Sequence, residues 1–320
     1  LAQEPDLVVV APATANIIAK MANGIADDLI STTLLATPRP IVIAPAMNNG
    51  MWKAPATQAN MATLRDRGVH VVGPGSGYLA CGDVDTGRMS EPEDIIEAVC
   101  DVLNPAPQDL AGKRIVITAG PTHESIDPVR FIGNRSSGKM GIALAGEAAR
   151  RGAAVTLVLG PTSLDVPSGV ECVRVQTAAE MLQAALSAFQ TAEAAICAAA
   201  VADYTPAAPA DHKLKKANER LDRIELVETV DILAELSRQK GERCVIGFAA
   251  ETDNVVEYAQ RKLARKGCDA IIANDVSRAD SGFGTDTNKA WIVSTTGTQE
   301  LPVLTKPQLA DTILDLLQKM

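Results

Sequence analysis

From Ile117 to Gly141 the chain reads ITAGPTHESIDPVRFIGNRSSGKMG, a run of glycine, hydroxyl, amide and basic residues of the kind that holds phosphates. Gly120 leaves room for a ligand to approach the backbone, and Asn134, Ser136, Ser137 and Gly138 stand just before an apolar stretch that reads as a helix. A helix N-terminus offers unpaired N–H groups to an anion. The spacing from Gly133 to Gly138-Lys139 is that of a phosphate loop, yet Met140 stands where a Ser or Thr would hold magnesium. The dinucleotide fingerprint GxGxxG is missing, and Gly160-Pro161-Thr162 replaces the acid that would bind a ribose hydroxyl. The stretch is expected to handle a phosphate compound by neither common recipe.

Other residues carry weaker signals. Lys213 opens the basic run Lys213-Leu-Lys215-Lys216, Asp203 follows an apolar strand in AAAVADY, and Lys262 and Lys266 lie one helical turn apart on one face. Near the start, Thr14-Ala15-Asn16 pairs a hydroxyl with a helix N-terminus, suited to a phosphate or a flavin edge. Asn48 can donate two N–H bonds to a carboxylate, and Cys81, in a glycine-rich loop, can transfer hydrogen. Taken singly, each has an ordinary explanation: a solvated charge run, helix surface, a turn amide, a loop thiol. Cys197, inside an apolar run, reads as core.

The elements that must position these groups alternate between strand and helix. Strands are expected at Asp6–Val10, Pro40–Ala44 and Val69–Val72, with a glycine loop over 73–83 and a helix over Glu91–Leu103. Asn104 to Gly112 is Pro-rich and polar, a linker. Beyond it come strands at 115–117, 154–159, 194–200, 244–249, 270–273 and 290–293, separated by helices, the one after Thr177 opened by a capping box with Glu180. A polar segment, 206–226, is expected to be flexible. This is an α/β chain with two Rossmann-like parallel-sheet domains, 1–103 and 113–320, joined by 104–112.

Composition sets the class. The 320 residues are 47% hydrophobic and 22% charged, with a formal net charge of −9, which argues against nucleic acid or an anionic membrane as partner. No run reaches the roughly 18 apolar residues of a membrane span. The six cysteines form no CxxC pair, as expected in a reducing cytoplasm. The chain begins at Leu1 and enters a strand within a few residues, so it is read as N-terminally truncated or processed.

The long signature from Ile117 to Gly141 resembles that of phosphopantothenate–cysteine ligases, the nucleotide-dependent ligases of coenzyme A synthesis. The resemblance implies CTP-dependent joining of 4′-phosphopantothenate to L-cysteine through an acyl-cytidylate, with Mg2+ screening the triphosphate. It implies that Asn134 stabilises the acyl-cytidylate and that Lys213 acts in its formation or aminolysis. Ala198, Ala199, Asp203, Asp231, Ile232, Phe248, Lys262 and Lys266 would contact the nucleotide. Gly120, Arg130, Ser136, Ser137 and Gly138 would contact the acyl substrate. Val230 stands where the family usually has Pro before Asp231-Ile232, which implies a looser binding loop.

Pro45-Ala46-Met47-Asn48-x-x-Met51-Trp52 and Ala80-Cys81-Gly82-Asp83 resemble the motifs of FMN-dependent phosphopantothenoylcysteine decarboxylases. The resemblance implies a flavodoxin-like first domain, incomplete here. In it Thr14, Ala15 and Asn16 would touch FMN, Asn48 and Met51 would hold the substrate, and Cys81 would reduce the intermediate. The family's first strands, flavin-phosphate loop and catalytic His lie upstream of the segment matching Leu1. His70, within a strand, is not expected to replace that His. Decarboxylation is therefore expected of a longer chain, and both families imply a homo-oligomer. Two rivals come from other classes: an NAD(P)-dependent Rossmann reductase, disfavoured by the missing fingerprint, and a non-catalytic flavoprotein binding module, disfavoured by the presence of Asn134, Asp203 and Lys213.

Overall fold

The computed structural model describes residues 1–78, 84–215, 222–278, 280–282 and 284–320, and divides into two compact units, Leu1–Ala106 and Pro107–Met320. In the first unit β1 (Val8–Ala13), β2 (Ile41–Pro45) and β3 (His70–Val71) form a parallel sheet in that order. Between β1 and β2 run α1 (Ala15–Asn23) and α2 (Leu29–Ala36); α3 (Asn49–Lys53) and α4 (Pro55–Asp66) follow β2. Ile18, Ile43, Met61 and Leu64 form the small core. The glycine loop expected after β3 is instead an antiparallel hairpin, β4 (Gly75–Tyr78) with β5 (Val84–Arg88), and α5 (Pro92–Leu103) closes the unit. Cys81 lies outside the described residues.

The second unit is built on β6 (Arg114–Ala119), β7 (His123–Ser125), β8 (Phe131–Gly133), α6 (Lys139–Arg150), β9 (Ala154–Leu159), β10 (Glu171–Arg174), α7 (Ala178–Phe189) and β11 (Ala194–Cys197). It continues with β12 (Tyr204–Pro206), β13 (Leu226–Glu228), α8 (Ile232–Arg238), β14 (Cys244–Glu251), α9 (Val255–Lys266), β15 (Ala270–Asp275), β16 (Thr287–Ser294), β17 (Gly297–Thr305) and α10 (Lys306–Lys319). Eight strands form one sheet in the order β10-β9-β6-β11-β14-β15-β16-β17. The pairs from β10 to β15 are parallel; β15–β16 and β16–β17 are antiparallel. The expected parallel sheet is present from β10 to β15, and one edge adds the antiparallel strands β16 and β17, joined by a tight turn that permits only antiparallel pairing. The segment expected to be flexible is tied at both ends, since β12 pairs with β13 and the Ala207 N–H donates to the Glu225 carbonyl at 2.9 Å.

Apolar side chains cover both faces of the sheet. Ile115, Ile117, Leu157 and Leu159 face Leu144, Ile313 and Leu314 of α6 and α10 on one side. Val116, Ala195 and Val245 face Met181, Phe189 and Leu236 of α7 and α8 on the other. A sheet buried on both faces leaves the loops at its strand ends as the place for polar chemistry.

Candidate functional site

The C-terminal ends of β6, β11, β14 and β15 open into a cleft of about 1130 Å³. Its shape starts from the turn after β6. Gly120 has φ +80°, and a Cβ there would stand 3.1 Å from the Gly160 carbonyl oxygen, so the turn after β6 and the turn after β9 touch backbone to backbone. Gly141 lets α6 lie directly on β6: a Cβ at this position would fall 2.3 Å from that of Ala119. Asn134, Ser136, Ser137 and Gly138 are thereby brought to the cleft with the N-terminus of α6.

The 198–203 segment is held from several sides. Thr118 Oγ1 accepts the Ala199 N–H at 3.4 Å, and the Thr229 hydroxyl donates to the Ala202 carbonyl at 2.5 Å. Asn134 Nδ2 donates to the carbonyls of Ala200 (3.1 Å) and Val201 (3.0 Å). Both partners are acceptors, which fixes the orientation of the amide and spends its N–H groups on the protein. In this structure Asn134 thereby clamps the loop that carries Asp203.

On the opposite wall Asp231 caps α8, its Oδ1 accepting the Ala234 N–H at 3.0 Å while Oδ2 pairs with Lys266. Lys262 Nζ donates to the Phe248 carbonyl at 2.8 Å, and burial lowers its pKa from the ordinary lysine value. Ala198, Ala199, Asp203, Asp231, Ile232, Phe248, Lys262 and Lys266 all line the cleft with Asn134 and the serines.

Three expected residues stand apart from that lining. Gly120 is buried behind it and sets the turn. Arg130 is paired with Asp127 and donates to the Leu214 carbonyl at 3.1 Å; this guanidinium holds the fully buried Asp127 carboxyl well below the usual carboxylate range. Asp127 in turn accepts the Leu214 N–H at 3.2 Å, so the pair pins the segment carrying Lys213, whose own side chain is exposed. In the first unit Thr14 caps α1 (Oγ1 to Ile17 N–H, 3.4 Å), followed by Ala15 and an exposed Asn16. Asn48 caps α3, accepting the Gly50 N–H at 2.8 Å, and Met51 is half exposed.

Sequence reasoning missed Lys139, Glu251, Asn274, Asn288 and Lys306 on the cleft lining. Lys306 carried a readable signal: the Thr305/Gln308 capping box marks a helix start, where a lysine opposes the helix dipole. Burial, with Lys139 second, pushes its ammonium pKa down to about 8. Among the described residues no three His, Cys, Asp or Glu side chains converge as a metal site, and no helix is long and apolar enough to cross a membrane.

Fold and site thus define a two-unit α/β protein whose larger unit carries a phosphate-suited cleft at its strand ends. Residues 110–320 match the family model described as the DNA/pantothenate metabolism flavoprotein C-terminal domain, and residues 1–104 match the Flavoprotein model. The chain is 49% identical over 312 residues to the coenzyme A biosynthesis bifunctional protein CoaBC of Bacillus subtilis (strain 168), covering 97% of this chain and 77% of that protein. It is 48% identical over 313 residues to the same-named protein of Escherichia coli (strain K12), with 97% and 77% covered. The crystal structure of the C-terminal domain of a CoaBC superposes with a TM-score of 0.57 at 45% identity, over 67% of this chain and 97% of that one. The chain belongs to the coenzyme A biosynthesis bifunctional protein CoaBC family.

Proposed function

We propose that the second unit is a phosphopantothenate–cysteine ligase that uses CTP. The observation carrying this reading is that Asn134, Asp203, Asp231, Phe248, Lys262 and Lys266, contributed by separate segments, face one cleft. The cleft has room for a nucleotide and a second substrate together, and positioning of that kind is what acyl transfer needs.

In this reading the carboxylate of 4′-phosphopantothenate attacks the α-phosphorus of CTP and pyrophosphate leaves. The acyl-cytidylate is then opened by the amine of L-cysteine, forming the amide and releasing CMP. Lys262 and Lys266 bring positive charge to the phosphates, and Phe248 lies against the base. Asn134 keeps the Ala200–Asp203 loop in register, with its amide oxygen as acceptor, and Lys213 presents an exposed ammonium from the segment that Asp127 pins, the charge this reading assigns to the acyl-cytidylate step. Mg2+ travels on the triphosphate and asks few protein ligands; Asp203 and Glu251 are carboxylates on the lining suited to it.

The first unit is proposed to be the C-terminal part of an FMN-dependent phosphopantothenoylcysteine decarboxylase, which acts in a longer chain on the ligase product to give 4′-phosphopantetheine. FMN would supply the redox chemistry when bound. The exposed start of α1, Thr14 to Asn16 at the end of β1, fits a flavin edge, and Asn48 and Met51 stand on α3 for the substrate, with Cys81 as the hydrogen donor. A cytoplasmic homo-oligomer is part of the same reading.

The deciding experiment is pyrophosphate release from CTP and 4′-phosphopantothenate, with and without cysteine, for the wild type and Asn134→Ala. Release that requires 4′-phosphopantothenate, and falls about a hundredfold in the variant as the unclamped loop misplaces the site, is expected. A folded chain that releases no pyrophosphate with any nucleotide would overturn the ligase reading.

A further inference from the structure

We propose that Lys306 is the cationic end of a phosphoryl subsite in the cleft, shared with the N-terminus of α6, which takes a pyrophosphate-type polyanion. The identity of that polyanion rests on the ligase reading above; the subsite itself stands on the following geometry.

Lys306 is only 4% exposed, yet it lines the cleft. Its Nζ donates to Asn288 Oδ1 at 2.6 Å and to the Gly282 carbonyl at 3.2 Å, both neutral acceptors. An ammonium has three N–H donors, so among the described residues one remains without an acceptor. Among the described residues no carboxylate pairs with Lys306. The acid nearest in electrostatic influence, Asp286, is exposed and bonded to Lys139 Nζ at 2.7 Å. Lys139 also donates to the Gly284 carbonyl, so both ammonium groups grip the same strand-entry segment and sit at the same end of the cleft. Two ammonium groups against one solvated carboxylate leave that end with excess positive charge.

Apart from the two neutral acceptors and the Asp286 carboxylate, the surroundings of Lys306 oppose a charge. It is buried, it faces a like charge, and it occupies the first turn of α10. An isolated buried charge is costly unless something compensates it, and here the protein supplies only neutral oxygens. A bound anion would compensate it. The opposite grip is the start of α6: Gly138 caps it in the left-handed region, the Gly138 and Lys139 N–H groups donate to the Ser136 (3.3 Å) and Ser137 (3.5 Å) hydroxyl oxygens, and the next N–H groups of the first turn, those of Met140 and Gly141, are the ones left to an anion. First-turn N–H groups and an ammonium together form a polyanion clamp.

The test is calorimetric binding of inorganic pyrophosphate to the wild type, Lys306→Met and Lys306→Gln, each checked by thermal melting. Glutamine removes the charge but keeps a polar contact for Asn288, and it serves should the methionine variant fail to fold. Pyrophosphate affinity is expected to fall at least about tenfold in the folded variant, the weight of a charge-assisted contact. Steady-state arms then separate the sources of the phosphoryl group: a raised KM for CTP alone assigns it to the nucleotide, and a raised KM for 4′-phosphopantothenate alone to the acyl substrate. Unchanged pyrophosphate affinity in a folded variant overturns the proposal. A wild type that binds pyrophosphate through Lys306 but releases none from CTP would retain the subsite and sink the ligase reading instead.

Discussion

Thr122 Oγ1 accepts the Ala202 backbone N–H at 3.0 Å from a fully buried position, one residue before Asp203 enters the cleft. Thr122→Val keeps the shape and removes the acceptor, leaving a buried N–H unsatisfied at a cost of about 1–3 kcal/mol. The expected result is a lower melting temperature together with a raised KM for CTP. A variant that melts lower with KM unchanged would show that the threonine stabilises the loop without positioning Asp203.

Lys266 and Asp231 are paired on the cleft wall, and Asp231 also caps α8. Lys266→Ala is expected to raise the KM for CTP about tenfold, as loss of a charged phosphate contact does, while changing stability by no more than about 1 kcal/mol because the carboxylate is partly exposed. Asp231→Asn keeps the cap and drops the ion pair. If it reproduced the Lys266→Ala kinetics, Lys266 would act on Asp231 and not on the nucleotide.

Lys306 makes stability depend on alkaline pH. Its folded pKa, about 8, lies below the ordinary lysine value of 10.5, so between those pH values the unfolded chain binds more protons than the folded one. Stability from this group therefore rises with pH across that window, by up to about 3 kcal/mol in all, and the cost of the buried charge is fully present below pH 8. Denaturant titrations at pH 7.5 and pH 10 should show this increment in the wild type relative to Lys306→Met. Equal pH slopes in the two proteins would place the titration elsewhere.

Arg151 is almost fully buried, with its guanidinium bonded to Asp109, Asp311 (2.9 Å) and Asp315 (2.8 Å). It fastens the chain just before β6 to the last helix. Arg151→Met is expected to cost about 1.5–3 kcal/mol, the weight of hydrogen bonds to charged groups, since the carboxylates it leaves are partly exposed to water; the readout is a fall in the unfolding midpoint. Substrate KM values should hold below that midpoint, since none of these residues lines the cleft.

Much of the architecture was legible in order of residues. The apolar runs 115–117, 154–159, 194–197 and 270–273 are strands because a sheet covered on both faces demands near-continuous hydrophobic stretches. Gly138, Gly141 and the paired serines announced a phosphate-suited helix start through local chemistry alone. The β4–β5 and β7–β8 hairpins and the antiparallel edge strand β17 were not legible: they are short, glycine-rich or mixed in polarity, and their pairing depends on partners distant from any periodic signal.

What the sequence determined by itself was the class of chemistry: residue types at fixed local spacing, such as Asn134 to Lys139 and Lys262 to Lys266, suit an anionic ligand in whatever fold presents them. Only the tertiary structure decided what each side chain is committed to. It turned the Asn134 amide onto the Ala200 and Val201 carbonyls and buried Lys306 with no ion pair among the described residues. Those commitments join residues up to 67 positions apart, and no local spacing encodes a hydrogen bond whose partner arrives only when the strands line up.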